Sequence, residues 1–209
     1  MARLGEGLWI TLKISMAAVG LSVLLGVPAG LLMSSRSRVW RLVLRLYLEF
    51  IRVMPILVLL FLLFYTLSSV INLPATFVSI LVFTLWGTAE MADLVRGAVT
   101  SLPRHQWESG RALGLGEAQL NIHVIVPQAV RRLLPGVINL TTRMIKTTPF
   151  VFFINIPELV KVAQQIVEVA GLRNNLASVW VYGFIFFVFF AICYPISLFS
   201  RHLEKVWQS

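Results

Sequence analysis

Charge is scarce in this chain: 13% of its 209 residues are Asp, Glu, Lys or Arg, where soluble domains carry about a quarter. Acids are scarcer still, nine against eighteen bases. With 58% hydrophobic residues and a mean hydropathy of +0.84, this excludes an ordinary soluble domain and predicts an integral membrane protein. Cysteine is nearly missing. Cys193 stands alone in an apolar run, so no intrachain disulfide can form and a buried packing role is expected. His105, His123 and His202 show no ligand spacing, so no metal site is expected. No Gly-Lys pair occurs anywhere. A P-loop needs Gly-x-x-x-x-Gly-Lys-Ser/Thr, whose amides and lysine hold phosphates. The chain is therefore not expected to hydrolyse ATP, and no catalytic residue or cofactor is assigned to it.

Other absences narrow the class further. No internal repeat is visible, whereas secondary transporters are often built from repeats. No basic n-region precedes a cleavage site, so no removable signal peptide is expected. The net charge of +9 is not gathered into a basic patch with interleaved aromatics, which argues against a nucleic-acid partner. The bases fall between apolar runs, as membrane topology requires. Asn139-Leu140-Thr141 has the form of a glycosylation site but lies inside a predicted membrane segment.

What is present is a series of apolar segments. A helix crossing about 30 Å of hydrocarbon needs about 20 residues. Five segments are predicted: Leu8 to Met33; Phe50 to Ile71, with a helix that can begin near Trp40; Ala75 to Val99; Leu133 to Ile156, weakly apolar; and Val179 to Ser200, rich in Phe. Asn72-Leu73-Pro74 predicts a tight turn, making the second and third segments an antiparallel hairpin. A polar helix is predicted over Glu158 to Ala170, with Gly171 as its C-cap. The fold class expected is an all-α membrane protein of five transmembrane helices, with residues 1–209 forming one domain.

The bases set an orientation. Arg36, Arg38, Arg41 and Arg45 follow the first segment. Arg96, Arg104, Arg111, Arg131 and Arg132 surround the stretch from about 100 to 130, and Arg201 and Lys205 follow the fifth segment. If five helices alternate, all of these share one side, and Arg3, Lys161 and Arg173 lie on the other. The positive-inside rule then puts the N-terminus outside and the C-terminus in the cytoplasm.

Between Glu108 and Pro127 a polar stretch interrupts the apolar pattern. Glu108-Ser109-Gly110 is followed after three residues by Gly114, and after nine more by Val124-Ile125-Val126-Pro127. This resembles the cytoplasmic coupling segment of ABC importer permeases, Glu-Ala-Ala, three residues, Gly, nine residues, Ile-x-Leu-Pro. The spacing is intact, and Ser109, Gly110, Val124 and Val126 are conservative departures. Further stretches resemble the polar amino acid ABC permeases: Gly7 to Ser15, Glu49-Phe50-Ile51-Arg52-Val53-Met54-Pro55, Ala92 to Gly97, Pro127-Gln128-Ala129, Lys146-Thr147-Thr148 and Pro157-Glu158-Leu159. The resemblance covers nearly the whole chain. It implies a five-helix core in a bacterial inner membrane and a second permease subunit, identical or homologous. It also implies two cytoplasmic ATPases that bind ATP and Mg, and an external solute-binding protein. Glu108, Ser109, Gly110, Gly114 and Pro127 would then form the ATPase-coupling element.

Ionisable residues inside membrane helices face a partner, water or a substrate. The third segment carries Glu90, Asp93 and Arg96, whose spacing of three puts them on one helical face. The fourth carries Arg143, Lys146, Thr147 and Thr148, with Pro149 interrupting its hydrogen-bond ladder. Asp93 with Arg96, and Glu49 with Arg52, can form local structural pairs. Glu90 and Arg143 depart from the family's usual aromatic and apolar residues. They either pair with each other or bind the amine and carboxylate of a zwitterion. Glu90, Asp93, Arg143, Lys146, Thr147 and Thr148 are the candidate substrate-path residues. The leading function is the permease subunit of an ATP-driven importer for polar amino acids. The alternative is a secondary transporter or channel for small polar solutes working without an ATPase.

Overall fold

A computed structural model describes residues 2–35, 37–170 and 176–208. The expected C-cap at Gly171 and the bases Arg36 and Arg173 lie outside the described residues. Among those described, regular structure is entirely helical: α1 Ala2–Ser34, α2 Arg38–Val53, α3 Ile56–Ile71, α4 Ala75–Thr100, α5 His105–Ala112, α6 Glu117–Leu120, α7 Val126–Thr147, α8 Leu159–Ala170 and α9 Ala177–Gln208. A π-turn, Asn121–Ile125, leads into α7, and a 3-10 helix, Thr148–Ile154, follows it.

Among the described residues three helices, α1, α4 and α9, are each long and apolar enough to cross a membrane alone, and the number rises to five if each of two bent pairs is one span. The second expected segment is one of these pairs. It was expected to run unbroken from Phe50 to Ile71, but the chain turns by 99° between α2 and α3. Pro55 explains the break. It offers no N–H to continue the ladder and pushes Met54 out of the helical region, and Met54 is extended at φ −76°, ψ 130°. The fourth expected segment starts earlier, at Val126, and leaves α-geometry at Thr148, just before Pro149. Asn72 makes the α3–α4 turn in the left-handed region at φ 51°, which asparagine tolerates better than most residues.

α1 and α4 form the centre. The buried face of α1 is a stripe of small residues: Gly7, Thr11, Ser15, Ala18, Ser22, Gly26 and Gly30. Small side chains at about every fourth position let two backbones approach closely, the usual basis of helix association in lipid. The approach here leaves no room for more. A Cβ on Gly26 would lie 2.5 Å from the Met91 Cβ, and one on Gly30 would lie 2.5 Å from the Val95 Cβ. The Ser22 hydroxyl, bonded mainly to Ala18 O at 2.7 Å, also reaches Thr84 O across the interface at 3.4 Å. Ile14, Ala18, Val78, Val82, Phe83 and Met144 complete the core.

At one end α8 caps the bundle. Glu158 is fully buried, and its carboxylate accepts the Val160 and Lys161 amides at 2.9 and 2.7 Å, satisfying the first turn of α8. The Leu159 amide donates to Thr11 Oγ1 at 3.3 Å. Two stretches singled out in the sequence, Gly7 to Ser15 and Pro157 to Leu159, thus meet. At the other end α9 is tied to α7 by the Ser200 hydroxyl on Pro135 O at 3.0 Å. Most of the Phe residues of α9 stay exposed, as expected of a lipid-facing or packing surface.

The seam predicts a mutational outcome. Gly26→Leu should force α1 from α4 and destabilise the fold by about 3 kcal/mol or more, above the usual cost of overpacking because backbone must move. Thermal unfolding in detergent, followed by size-exclusion chromatography, checks this. Wild-type stability would contradict the close-packed seam.

Candidate functional site

Two constellations carry the chemistry. The first is a chain of charges joining α2, α4 and α7. On α4, Trp86, Glu90, Asp93 and Arg96 follow one another at spacings of four, three and three, which keeps them on one face. Glu90 has little exposure, 13% of its side chain. One of its oxygens accepts from Arg52 Nε at 3.1 Å, and the other accepts from Arg143 Nη2. Arg52 also donates to Asp93 at 2.8 Å, and Asp93 pairs with Arg96 at 2.5 Å. The order is Arg143, Glu90, Arg52, Asp93, Arg96: three guanidiniums against two carboxylates. Arg143 also sits 5.5 Å from the Trp86 ring centroid, a cation–π distance.

The pairing answers part of what the sequence left open. Glu90 and Arg143 do pair, and Asp93 pairs with Arg96. The expected Glu49–Arg52 pair does not form. Glu49 takes Arg45, one turn earlier at 3.2 Å, and Arg52 turns to α4 instead. Sequence reasoning missed Arg52 as the link between the two acids. A signal was present: Glu49 had two candidate bases on its own helix, and the base left over needed an acid elsewhere. Tyr47 was missed too, and its hydroxyl fixes α2 on α4 by donating to Leu85 O at 2.6 Å.

Lys146, Thr147 and Thr148 do not join this chain. Lys146 lines a separate cavity of about 440 Å³ against α9, with Cys193, Tyr194 and Arg201. The Thr147 hydroxyl donates to Arg143 O at 2.9 Å, and the buried Thr148 hydroxyl to Met144 O at 3.0 Å. Both bonds run to the preceding turn of α7. Spacing alone puts these residues beside Arg143, but the rotation of α7 aims them elsewhere.

The second constellation is the segment between α4 and α7. The helix expected near His105 forms as α5. Glu108 and Ser109 are exposed on it, while Gly110 is buried where the Leu120 side chain crosses. Gly114 has φ +78°, a conformation that other residues adopt only with strain. The segment has its own small core of Leu102, Leu120, Ile125 and Ala129, with Trp107 packed against it. Gln128 bridges to Gln106 at 3.1 Å, and Arg132 donates to Ser101 O at 2.6 Å. The element is therefore braced against both the end of α4 and the start of α7. Leu113 and Ile122 stand exposed at its tip, at 81% and 63%. Pro127 lies in the first turn of α7, directly after the π-turn.

Among the described residues no cluster of His, Cys, Asp or Glu is arranged to hold a metal. The two constellations offer a chain of fixed charges joining three helices and a short exposed helix. The chain matches the sequence family "Binding-protein-dependent transport system inner membrane component" over residues 26–205. It is similar to the probable glutamine ABC transporter permease protein GlnP of Bacillus subtilis (strain 168), 29% identical over 210 residues, covering 98% of this chain and 93% of that protein. It is also similar to the L-cystine transport system permease protein TcyB of the same organism, 29% identical, covering 97% and 85%. A crystal structure of an amino acid ABC transporter with histidines superposes with a TM-score of 0.84 at 29% identity, over 96% of this chain and 94% of that one. An inward-facing MetNI methionine ABC transporter shares the fold, with a TM-score of 0.77 at 18% identity over 99% and 97%. The helical architecture, the braced segment between α4 and α7, and a family match spanning most of its length agree: the chain belongs to the inner membrane components of binding-protein-dependent transport systems.

Proposed function

We propose that this chain is the permease subunit of an ATP-driven importer for polar amino acids in a bacterial cytoplasmic membrane. Residues 1–209 act as one permease domain, with residues of about 100–130 as its cytoplasmic coupling segment. A second permease, identical or homologous, completes the path. Two ATPases hold ATP and Mg, and an external binding protein delivers the solute. The observation that carries this is the exposed α5 helix with Leu113 and the Gly114 turn, braced between the end of α4 and the start of α7 over a small core. An isolated exposed helix of that kind needs a groove to dock in. Glu108, Ser109, Gly110, Gly114 and Pro127 form or frame the contact.

The charge chain supplies the path. Hydrocarbon cannot solvate these groups, so they face an internal surface. Both Glu90 oxygens are taken by arginines, while the Arg143 side chain is 52% exposed. Arg143 therefore presents its planar fork to a solute carboxylate, and Glu90 positions it. Asp93 holds the cytoplasmic end of the chain. Lys146, Thr147 and Thr148 border the path rather than join the chain.

Three outcomes are expected. Gly114→Val should abolish ATPase association while membrane insertion persists, and Gly114→Asn, which tolerates the left-handed region, should retain most of it. Co-purification of the ATPase decides, and normal coupled transport by Gly114→Val would sink the docking assignment. Glu90→Gln leaves two arginines without their shared carboxylate. It should raise the half-saturation of substrate-stimulated ATPase activity by about tenfold, a loss of about 1.4 kcal/mol. An unchanged substrate profile in an assembled complex would remove Glu90 from the path. Bases gathered at the α1, α4 and α9 C-terminal ends make that side cytoplasmic, so a cysteine at the exposed Glu168 of α8 should react with an impermeant reagent from outside. Reaction only from the cytoplasmic side would reverse the orientation.

A further inference from the structure

The α2 helix has three faces, and one of them packs into the apolar core. Leu48 and Ile51 are buried, with Leu44 and Tyr47 packed beside them. A second face, Val39, Leu42, Val43, Leu46, Phe50 and Val53, is apolar and more than half exposed throughout. Between these runs a charged stripe: Arg38, Arg41, Arg45, Glu49 and Arg52 at helical spacings of three and four. The 99° turn at Met54–Pro55 lays this helix across the direction of α3. A helix with an open apolar face, a basic stripe and that attitude to a membrane span has the form of an interfacial helix.

The stripe borders a cavity of about 720 Å³ between α2 and the C-terminal ends of α1 and α4. Arg41, Arg45, Arg52 and Arg96 line it, together with Glu49 and Asp93. Four bases against two acids leave a surplus of two positive charges. Both acids are already engaged, Glu49 by Arg45, and Asp93 by Arg52 and Arg96. Arg41 makes no ion pair among the described residues. A guanidinium fork matches the oxygens of a phosphate in geometry and charge.

We infer that this cavity binds the phosphate headgroup of an anionic phospholipid, with the acyl chains lying along the bare apolar face of α2. The two features are adjacent on one helix and complement the two halves of a single molecule. A zwitterionic lipid brings no net charge to offset the surplus, so the site discriminates by headgroup. The cavity shares Arg52, Asp93 and Arg96 with the charge chain, so its test is placed on Arg41, Arg45 and Glu49, which lie outside that chain.

Native mass spectrometry of the complex containing this chain tests it, using phosphatidylglycerol and phosphatidylcholine of matched chains as probes. The wild type should retain phosphatidylglycerol preferentially. Arg41→Gln with Arg45→Gln should reduce that preference by about tenfold, the scale expected for two bases at an anionic headgroup. Glu49→Gln, which removes an acid from the cavity, should strengthen the preference and keeps the test sound if the double variant fails to assemble. Equal retention of both lipids by the wild type would overturn the inference, and so would a preference that ignores all three substitutions. Displacement of the lipid by millimolar inorganic phosphate would assign the cavity to a soluble anion instead. High-yield disulfide formation between two copies carrying Val43→Cys in a Cys193→Ser background would show that a second copy covers the apolar face, and would also overturn the inference.

Discussion

Everything in this molecule is arranged around how closely α1 can approach α4. Lipid offers no hydrophobic drive to push two apolar helices together, so the contact must come from shape. The small-residue stripe from Gly7 to Gly30 supplies that shape, and Met91 and Val95 fill the hollows at Gly26 and Gly30. With α4 so fixed, its opposite faces become available. One receives α3 and α2, and another receives α7, so that the acids of α4 are presented to arginines from two directions.

The charge chain is the polar counterpart of that seam. A single ionised group at mid-membrane costs about 2.5–3.5 kcal/mol on insertion scales, and the pairing of Glu90 and Asp93 with three arginines offsets most of it. The same pairing joins α2 with α4 and α4 with α7, alongside their apolar contacts. It also runs toward the end of α4 from which the coupling segment departs. That segment is braced to α4 through Arg132 on Ser101 and to α7 directly, so the helices that bear the charges also hold its two ends.

Most of the architecture was legible in the sequence because its signals are local. Apolar length marked α1, α4 and α9, Asn72-Leu73-Pro74 marked the hairpin, and the polar stretch from Glu108 to Pro127 marked the short helices between α4 and α7. The break at Pro55 was not read, because a hydropathy run averages over a kink that costs only two residues. Partner choice was the other loss. Glu49 and Arg52 share a helix face, but the choice between Arg45 and Arg52 depends on where α4 lies, which no local pattern encodes. Lys146 shows the same limit: its spacing from Arg143 is right, and the packing of α7 against α9 turns it away. At Gly114 a glycine allows either a close approach or a sharp turn, and its φ of +78° with no neighbour near its Cβ position shows the turn.

The ion-pair chain also bears on how the protein is made. Arg52 precedes Glu90 by 38 residues, and Glu90 precedes Arg143 by 53. When α2, α3 and α4 have left the ribosome, Arg52 and Arg96 already stand against Glu90 and Asp93, two against two. The two carboxylates of α4 can therefore enter the bilayer already matched by bases of the early half. The unmatched guanidinium arrives last, on α7, and closes the chain from a position where its partner is already waiting. The order of synthesis is thus written into the order of the charges.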